Sequence, residues 1–194
     1  MESSLSIVVV EPDQDRAEQI ANGLHDIGYR DIHIIAEPSA LARKLKAANP
    51  DVVLIDVANP SRDTLEALAI ASDPLNRPVA LFVDKDDDGL AKTAIEAGIS
   101  AYVVNGMNTD RLRPVLDTAI ARFNMVGRMR KELAQTKQAL EERKLIDRAK
   151  GLLMKARGID EEAAYALLRR TAMDQGRKVA EVAQALVTAA DLLS

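Results

Sequence analysis

The sequence predicts an α/β first part, a five-stranded parallel sheet wound on both faces. A long helix with coiled-coil spacing and a small C-terminal three-helix bundle follow it. Three observations carry this reading. Short β-branched runs alternate five times with helical periodicities as far as Phe123. The stretch from Phe123 to Lys150 then contains no proline and one glycine, Gly127. From Lys144 to Leu186, three apolar stripes repeat at helical spacing in helices too short to be stable alone.

Leu5-Ser-Ile-Val-Val-Val10 is a β-branched run bounded by Glu11-Pro12-Asp13, the pattern of a strand buried on both faces. Ala17, Ile20, Ala21 and Leu24 repeat at helical spacing and end near Gly28. Asp31–Ala36 reads as a strand, and Ala40–Ala48 as a helix stopped by Asn49-Pro50. Asp51–Val57 is the clearest strand, with a helix over Thr64–Ser72. Val79–Val83, Gly89–Ala97 and Ala101–Val104 give strand, helix and strand. Leu112, Val115, Leu116, Ala119, Ile120 and Phe123 mark the last amphipathic helix of this part. Such alternation makes the strands parallel, and functional groups then gather beyond their carboxyl ends. Glu11 and Asp13, Asp56, Asp84 and Asn105 stand at those ends. The acidic run Asp84-Lys-Asp-Asp-Asp88 is either a weak cation site or a set of solvated loop acids.

A length of 194 residues suits one large or two modest domains, and 47% hydrophobic content supplies a core. The chain has no cysteine, which excludes disulfides and thiolate metal sites. His25 and His33 are too few for a histidine-based metal centre. No apolar run reaches the roughly 20 residues of a membrane span, so a cytoplasmic location is expected. The net charge of −4 conceals a division. Residues 1–121 hold 11 Lys/Arg against 20 Asp/Glu, and residues 122–194 hold 15 against 10. A polyanion would therefore meet the second part.

Within the long helix, Val126, Met129, Leu133, Thr136 and Leu140 keep a heptad spacing that Arg143 and Asp147 break. Residues 123–143 are expected to form the stalk of a parallel dimer, the alternative being a helix folded back on its own chain. Beyond them, Ile146, Ala149 and Leu153 form the first apolar stripe. Ala164, Leu167, Leu168 and Ala172 form the second, and Val179, Val182, Ala183, Leu186 and Val187 the third. Gly158-Ile-Asp160 separates the first two, with Asp160 placed as an N-cap, and Gly176 separates the next pair. Arg148, Lys150, Lys155, Arg157, Arg169, Arg170, Arg177 and Lys178 fall mostly between the stripe positions. Tyr165 is the only aromatic of this segment, expected to be partly packed rather than a stacking platform.

Residues 1–122 resemble a response-regulator receiver domain, with Asp56 at the phosphoacceptor position and Tyr102 at the aromatic switch position. Three positions depart from that pattern. Pro12 replaces the second of two adjacent acids that hold Mg²⁺, Val83 replaces the switch hydroxyl, and Asn105-Gly106 replaces lysine and proline. Loss of the lysine and of a metal ligand removes the charge that would neutralise a phosphoryl group. Asp56 is thus either a phosphoacceptor or a structural strand-end acid. Glu11 and Asp13 form the acidic pocket where Mg²⁺ would bind, and no other cofactor is expected.

Ala149-Lys-Gly-Leu-Leu-Met154, Glu162-Ala-Ala-Tyr165, Leu168-Arg169, Ala172-Met173 and Val182-Ala183 resemble an ANTAR domain, assigned to residues 144–194. The combination is similar to two-component antiterminators of the NasT type, which serve nitrate and nitrite assimilation; the amide-responsive AmiR is a related architecture. The resemblance implies no enzymatic activity. It implies binding to a leader RNA with paired stem-loops, which prevents a terminator hairpin and so acts on RNA polymerase indirectly. It also implies control by a ligand-sensing inhibitory partner protein (NasS-like) and an active homodimer. The expected RNA-binding residues are Arg148, Lys150, Gly151, Lys155, Arg157 and Arg169. DNA-binding or protein-interaction response regulators share this domain order and remain the alternatives.

Overall fold

The computed structural model describes residues 3–37, 41–85 and 89–193. Its elements are β1 (Ser3–Val10), α1 (Gln14–Asp26), β2 (Tyr29–Ile35), α2 (Leu41–Ala48), β3 (Val52–Asp56) and α3 (Arg62–Ser72). They continue as β4 (Val79–Val83), α4 (Leu90–Glu96), β5 (Ala101–Val104), α5 (Thr109–Arg157), α6 (Glu161–Asp174) and α7 (Val179–Leu193). Two compact units result, Met1–Arg128 and Met129–Ser194.

In the first unit all five strands are parallel, in the order β2-β1-β3-β4-β5. Alternation along β1 explains the two cores. Val8 and Val10 point to the side covered by α2, α3 and α4, where they meet Leu41, Leu65 and Ala94. Ile7 and Val9 point to the other side, against Ile20 and Leu24 of α1 and Leu112 and Leu116 of α5. Every residue of β3 and β4 is buried, as expected for central strands covered on both faces. Close packing of α1 depends on Gly23, where a Cβ would come 2.5 Å from Thr109 Cγ2.

The helix of residues 109–123, the stalk and the first stripe of the bundle are one uninterrupted 49-residue helix, α5. No residue between Phe123 and Lys150 stops it. In the second unit, Ala149 packs with Leu168, Ala172, Val182, Ala183 and Val187, joining the three predicted stripes in one core. Asp160 caps α6 by accepting a hydrogen bond from the Ala163 N–H at 2.8 Å. No helix among the described residues is long and apolar enough to cross a membrane.

Candidate functional site

The carboxyl ends of β1 and β3 bring Glu11 and Asp56 into one pocket, 5% and 2% exposed. Two carboxylates out of water need a nearby cation. Arg16, in the first turn of α1, supplies it. Its Nη2 donates to Asp56 Oδ2 at 2.7 Å and lies 3.7 Å from Asp84 Oδ1, while its Nε is 3.5 Å from Glu11 Oε2. Among the described residues, Asp56 Oδ1 is buried with no hydrogen-bond partner.

Asp13 has a different task. Its carboxylate accepts from the Arg16 backbone N–H at 2.9 Å as the N-cap of α1. Its own N–H donates to Glu11 Oε1 at 2.8 Å. Asp13 therefore fixes the turn that delivers Arg16. Burial raises the Glu11 pKa above the usual carboxylate range and the Asp56 carboxylate adds to the rise, against the Asp13 N–H bond and Arg16.

These residues do not fit a divalent cation. Pro12 offers no side-chain oxygen, the Asp13 carboxylate is engaged at the helix start, and a guanidinium lies among Glu11, Asp56 and Asp84. Among the described residues no group of three or more His, Cys, Asp or Glu is arranged to hold a metal. Val83 is wholly buried in the apolar core. Asn105 and Gly106 both adopt positive φ, 72° and 66°. The Gly106 N–H donates to the Val83 carbonyl at 2.8 Å, a bond that proline could not make. Tyr102 is half-buried against the core and lines a cavity of about 540 Å³ with Ile95, Val115 and Arg111. Of the acidic run after β4, Asp86–Asp88 lie outside the described residues.

In the second unit the predicted RNA-contacting cations fall into two groups. Arg148 Nη2 is 2.6 Å from Asp191 Oδ1. Lys150 Nζ bridges Asp147 Oδ1 at 2.6 Å and Glu161 Oε1 at 2.7 Å, and its side chain is only 15% exposed. Hydrogen bonds to Asp147 and then Glu161 raise the Lys150 pKa, and the same bond lowers that of Asp147. Lys155, Arg157 and Arg169 are exposed and make no ion pair among the described residues. Gly151 is exposed mid-helix, and a Cβ there would meet nothing within 4 Å. Tyr165 is 44% exposed, partly packed with part of its ring left open. With Lys150, Glu161 and Glu162 it lines a shallow cavity of about 450 Å³.

Arg16 is the functional residue that sequence reasoning missed. A signal existed: it is the only lysine or arginine before Arg30, three positions after an N-capping aspartate. The acidic partners Asp147, Glu161 and Asp191 were missed as well.

Comparison with known proteins bears on both units. Residues 7–117 match the response regulator receiver domain, and residues 134–187 match the ANTAR domain. The transcriptional regulatory protein PdtaR of Mycobacterium tuberculosis is 29% identical over 168 residues, 87% of this chain and 82% of that protein. A nitrate regulatory protein of Klebsiella oxytoca is 51% identical over 57 residues, 29% of this chain but 14% of that protein. The fold resembles the signal receiver domain of a modulated diguanylate cyclase from Desulfovibrio desulfuricans. That likeness has a TM-score of 0.51 and 17% identity over 63% of this chain and 98% of the other. The chain belongs to the response regulator receiver family, as a regulatory protein with an ANTAR domain following its receiver.

Proposed function

We propose that this protein is an RNA-binding transcription antiterminator. It binds a leader RNA with paired stem-loops through residues 144–194, prevents a terminator from forming and lets RNA polymerase continue. The observation that carries this reading is the exposed set Lys155, Arg157 and Arg169, without an ion pair among the described residues, on the segment that matches the ANTAR domain. Cations that must give up no internal partner supply phosphate affinity at least desolvation cost. Gly151 leaves α5 backbone open to close approach, and the exposed Tyr165 offers a face to an unstacked loop base.

The receiver-like part, residues 1–122, senses state without a phosphoaspartate, through a ligand-sensing inhibitory partner protein in the cytoplasm. Residues 123–143 join active molecules as a parallel homodimer. Met129, Leu133 and Leu140 on this segment are 58%, 56% and 53% exposed, a stripe that a second copy would cover. Likeness to a nitrate regulatory protein supports nitrate and nitrite assimilation genes as the regulon.

The test is a titration of the full-length protein with a two-stem-loop leader RNA, a scrambled-loop control and a duplex DNA of the same sequence. Preference for the intact leader is expected. Equal binding to all three, or preference for the duplex, would remove the antiterminator reading.

A further inference from the structure

The pocket at the strand ends gathers three carboxylates, Glu11, Asp56 and Asp84, around one guanidinium. We propose that it is a cation site carrying its own ligand. Arg16 occupies the place of a divalent metal, so the wild-type protein takes up none at Asp56, and removing Arg16 creates a divalent-cation site.

The chemistry follows from the parts. A guanidinium presents five donors in a planar fork, enough to face several carboxylates at once. Here Nη2 addresses Asp56 and Asp84 while Nε addresses Glu11. The side chain is carried by a rigid element, since α1 is capped by Asp13 and anchored by Ala17 and Ile20, 1% and 4% exposed. A cation fixed this way acts at an effective concentration that free ions must outcompete. Mg²⁺ faces a further obstacle because it gives up water reluctantly and demands near-octahedral oxygen ligands.

Two observations describe the space around this group. A Cβ on Gly106 would come 3.2 Å from Asp84 Oδ1 and 3.8 Å from Arg16 Nη2, so only glycine leaves that wall fully open. Asp56 Oδ1 is buried and unpartnered, an oxygen the guanidinium does not reach. Once Arg16 is gone, this oxygen, Asp56 Oδ2 and Glu11 Oε2 are three acceptors without a counter-charge. That is the setting in which a hard cation binds.

The experiment uses the full-length protein and two readouts. One is thermal melting with millimolar Mg²⁺, the other paramagnetic broadening of backbone amide signals by Mn²⁺. Wild type is expected to show neither a saturable melting shift nor selective broadening beside Asp56. Arg16→Ala is expected to melt lower, to regain stability with Mg²⁺ and to bind Mn²⁺ about tenfold tighter or better, the effect of removing a cation from such a site. Arg16→Lys, which keeps the charge but not the planar fork, should bind Mn²⁺ more weakly than Arg16→Ala. Broadening of wild-type signals around Asp56, abolished by Asp56→Asn, would overturn the proposal. So would an Arg16→Ala protein with the wild-type metal response. Should Arg16→Ala not fold in chelator, recovery of its helical signal by Mg²⁺ supports the proposal and failure to recover overturns it.

Discussion

Lys150 Nζ lies 2.7 Å from Glu161 Oε1, so the central lysine of the ANTAR segment ties α5 to α6 through an acid of its own chain. The sequence places Lys150 among the expected RNA-binding cations, off the apolar stripe. Its two ion pairs make it also a strut. A phosphate arriving at Lys150 must displace Glu161 or Asp147, whereas Lys155 and Arg157 have nothing to release. Lys155→Ala with Arg157→Ala is therefore expected to flatten the salt dependence of RNA binding by roughly two contacts' worth, and Lys150→Ala by less than one. Glu161→Gln should tighten RNA binding. Binding measured across a salt series checks all three. Looser binding by Glu161→Gln would show that the acid contacts the RNA favourably.

Gly151 separates stability from function. Among the described residues a Cβ there would meet nothing within 4 Å beyond the backbone of its own helix, and alanine is favoured over glycine in a helix interior by about 1 kcal/mol. Gly151→Ala is expected to raise the melting temperature of the second unit while weakening leader RNA binding. Unchanged affinity would mean that no RNA approaches the α5 backbone there.

The elements were legible wherever one periodicity dominated. β1, β3 and β4 are β-branched runs bounded by turn residues, and the three stripes around Ala149, Leu168 and Ala183 meet in one core. That α5 is one helix followed from the lack of a stop signal between Phe123 and Lys150. The site was less legible because its contacts are distant in sequence. Arg16 and Asp56 are 40 residues apart, and no local pattern records that α1 places one over the other. Asp13 was read as a pocket acid for a similar reason. A carboxylate just before a helix can cap it or face a cation, and only the backbone geometry decides.

Glu11 gives a pH dependence. Its pKa in the folded chain is raised above the ordinary 4.5, chiefly by burial, so the folded state binds the proton more tightly than the unfolded. The resulting stabilisation is present below the ordinary value and is lost as pH rises through the raised one. Glu11→Gln removes this term while the other acids titrate as before. Its stability relative to wild type is expected to improve as pH rises from about 4 toward neutrality. Denaturant melts of both proteins across that range check it, and the opposite trend would show that the Arg16 contact outweighs burial.

The exposed stripe of α5 bears on self-association. Replacing Leu133 and Leu140 with lysine puts two charges where a second copy would bury apolar surface. Each leucine contributes about 1.5–3 kcal/mol when covered. On the proposed dimer, wild type is expected to sediment as a dimer and the double variant as a monomer at the same concentration, with the helical signal unchanged. Unaltered mass would place any dimer interface elsewhere.

Asp56 tests whether control passes through phosphate at all. Its Oδ2 is held by Arg16, its partner acid Glu11 is buried, and the positions that would supply a hydroxyl and an ammonium are Val83 and Asn105. A phosphoryl group on Asp56 would carry nearly two negative charges beside the two remaining carboxylates, Glu11 and Asp84, with one guanidinium to offset them. Asp56→Asn keeps an oxygen for Arg16 and removes the nucleophile. Regulated read-through in cells is expected to persist in this variant, and wild-type protein incubated with acetyl phosphate and Mg²⁺ should acquire no acid-labile mass increase. A mass increase on Asp56 together with loss of regulation in the variant would show that Arg16 yields the pocket to phosphate, and that the receiver signals by phosphorylation after all.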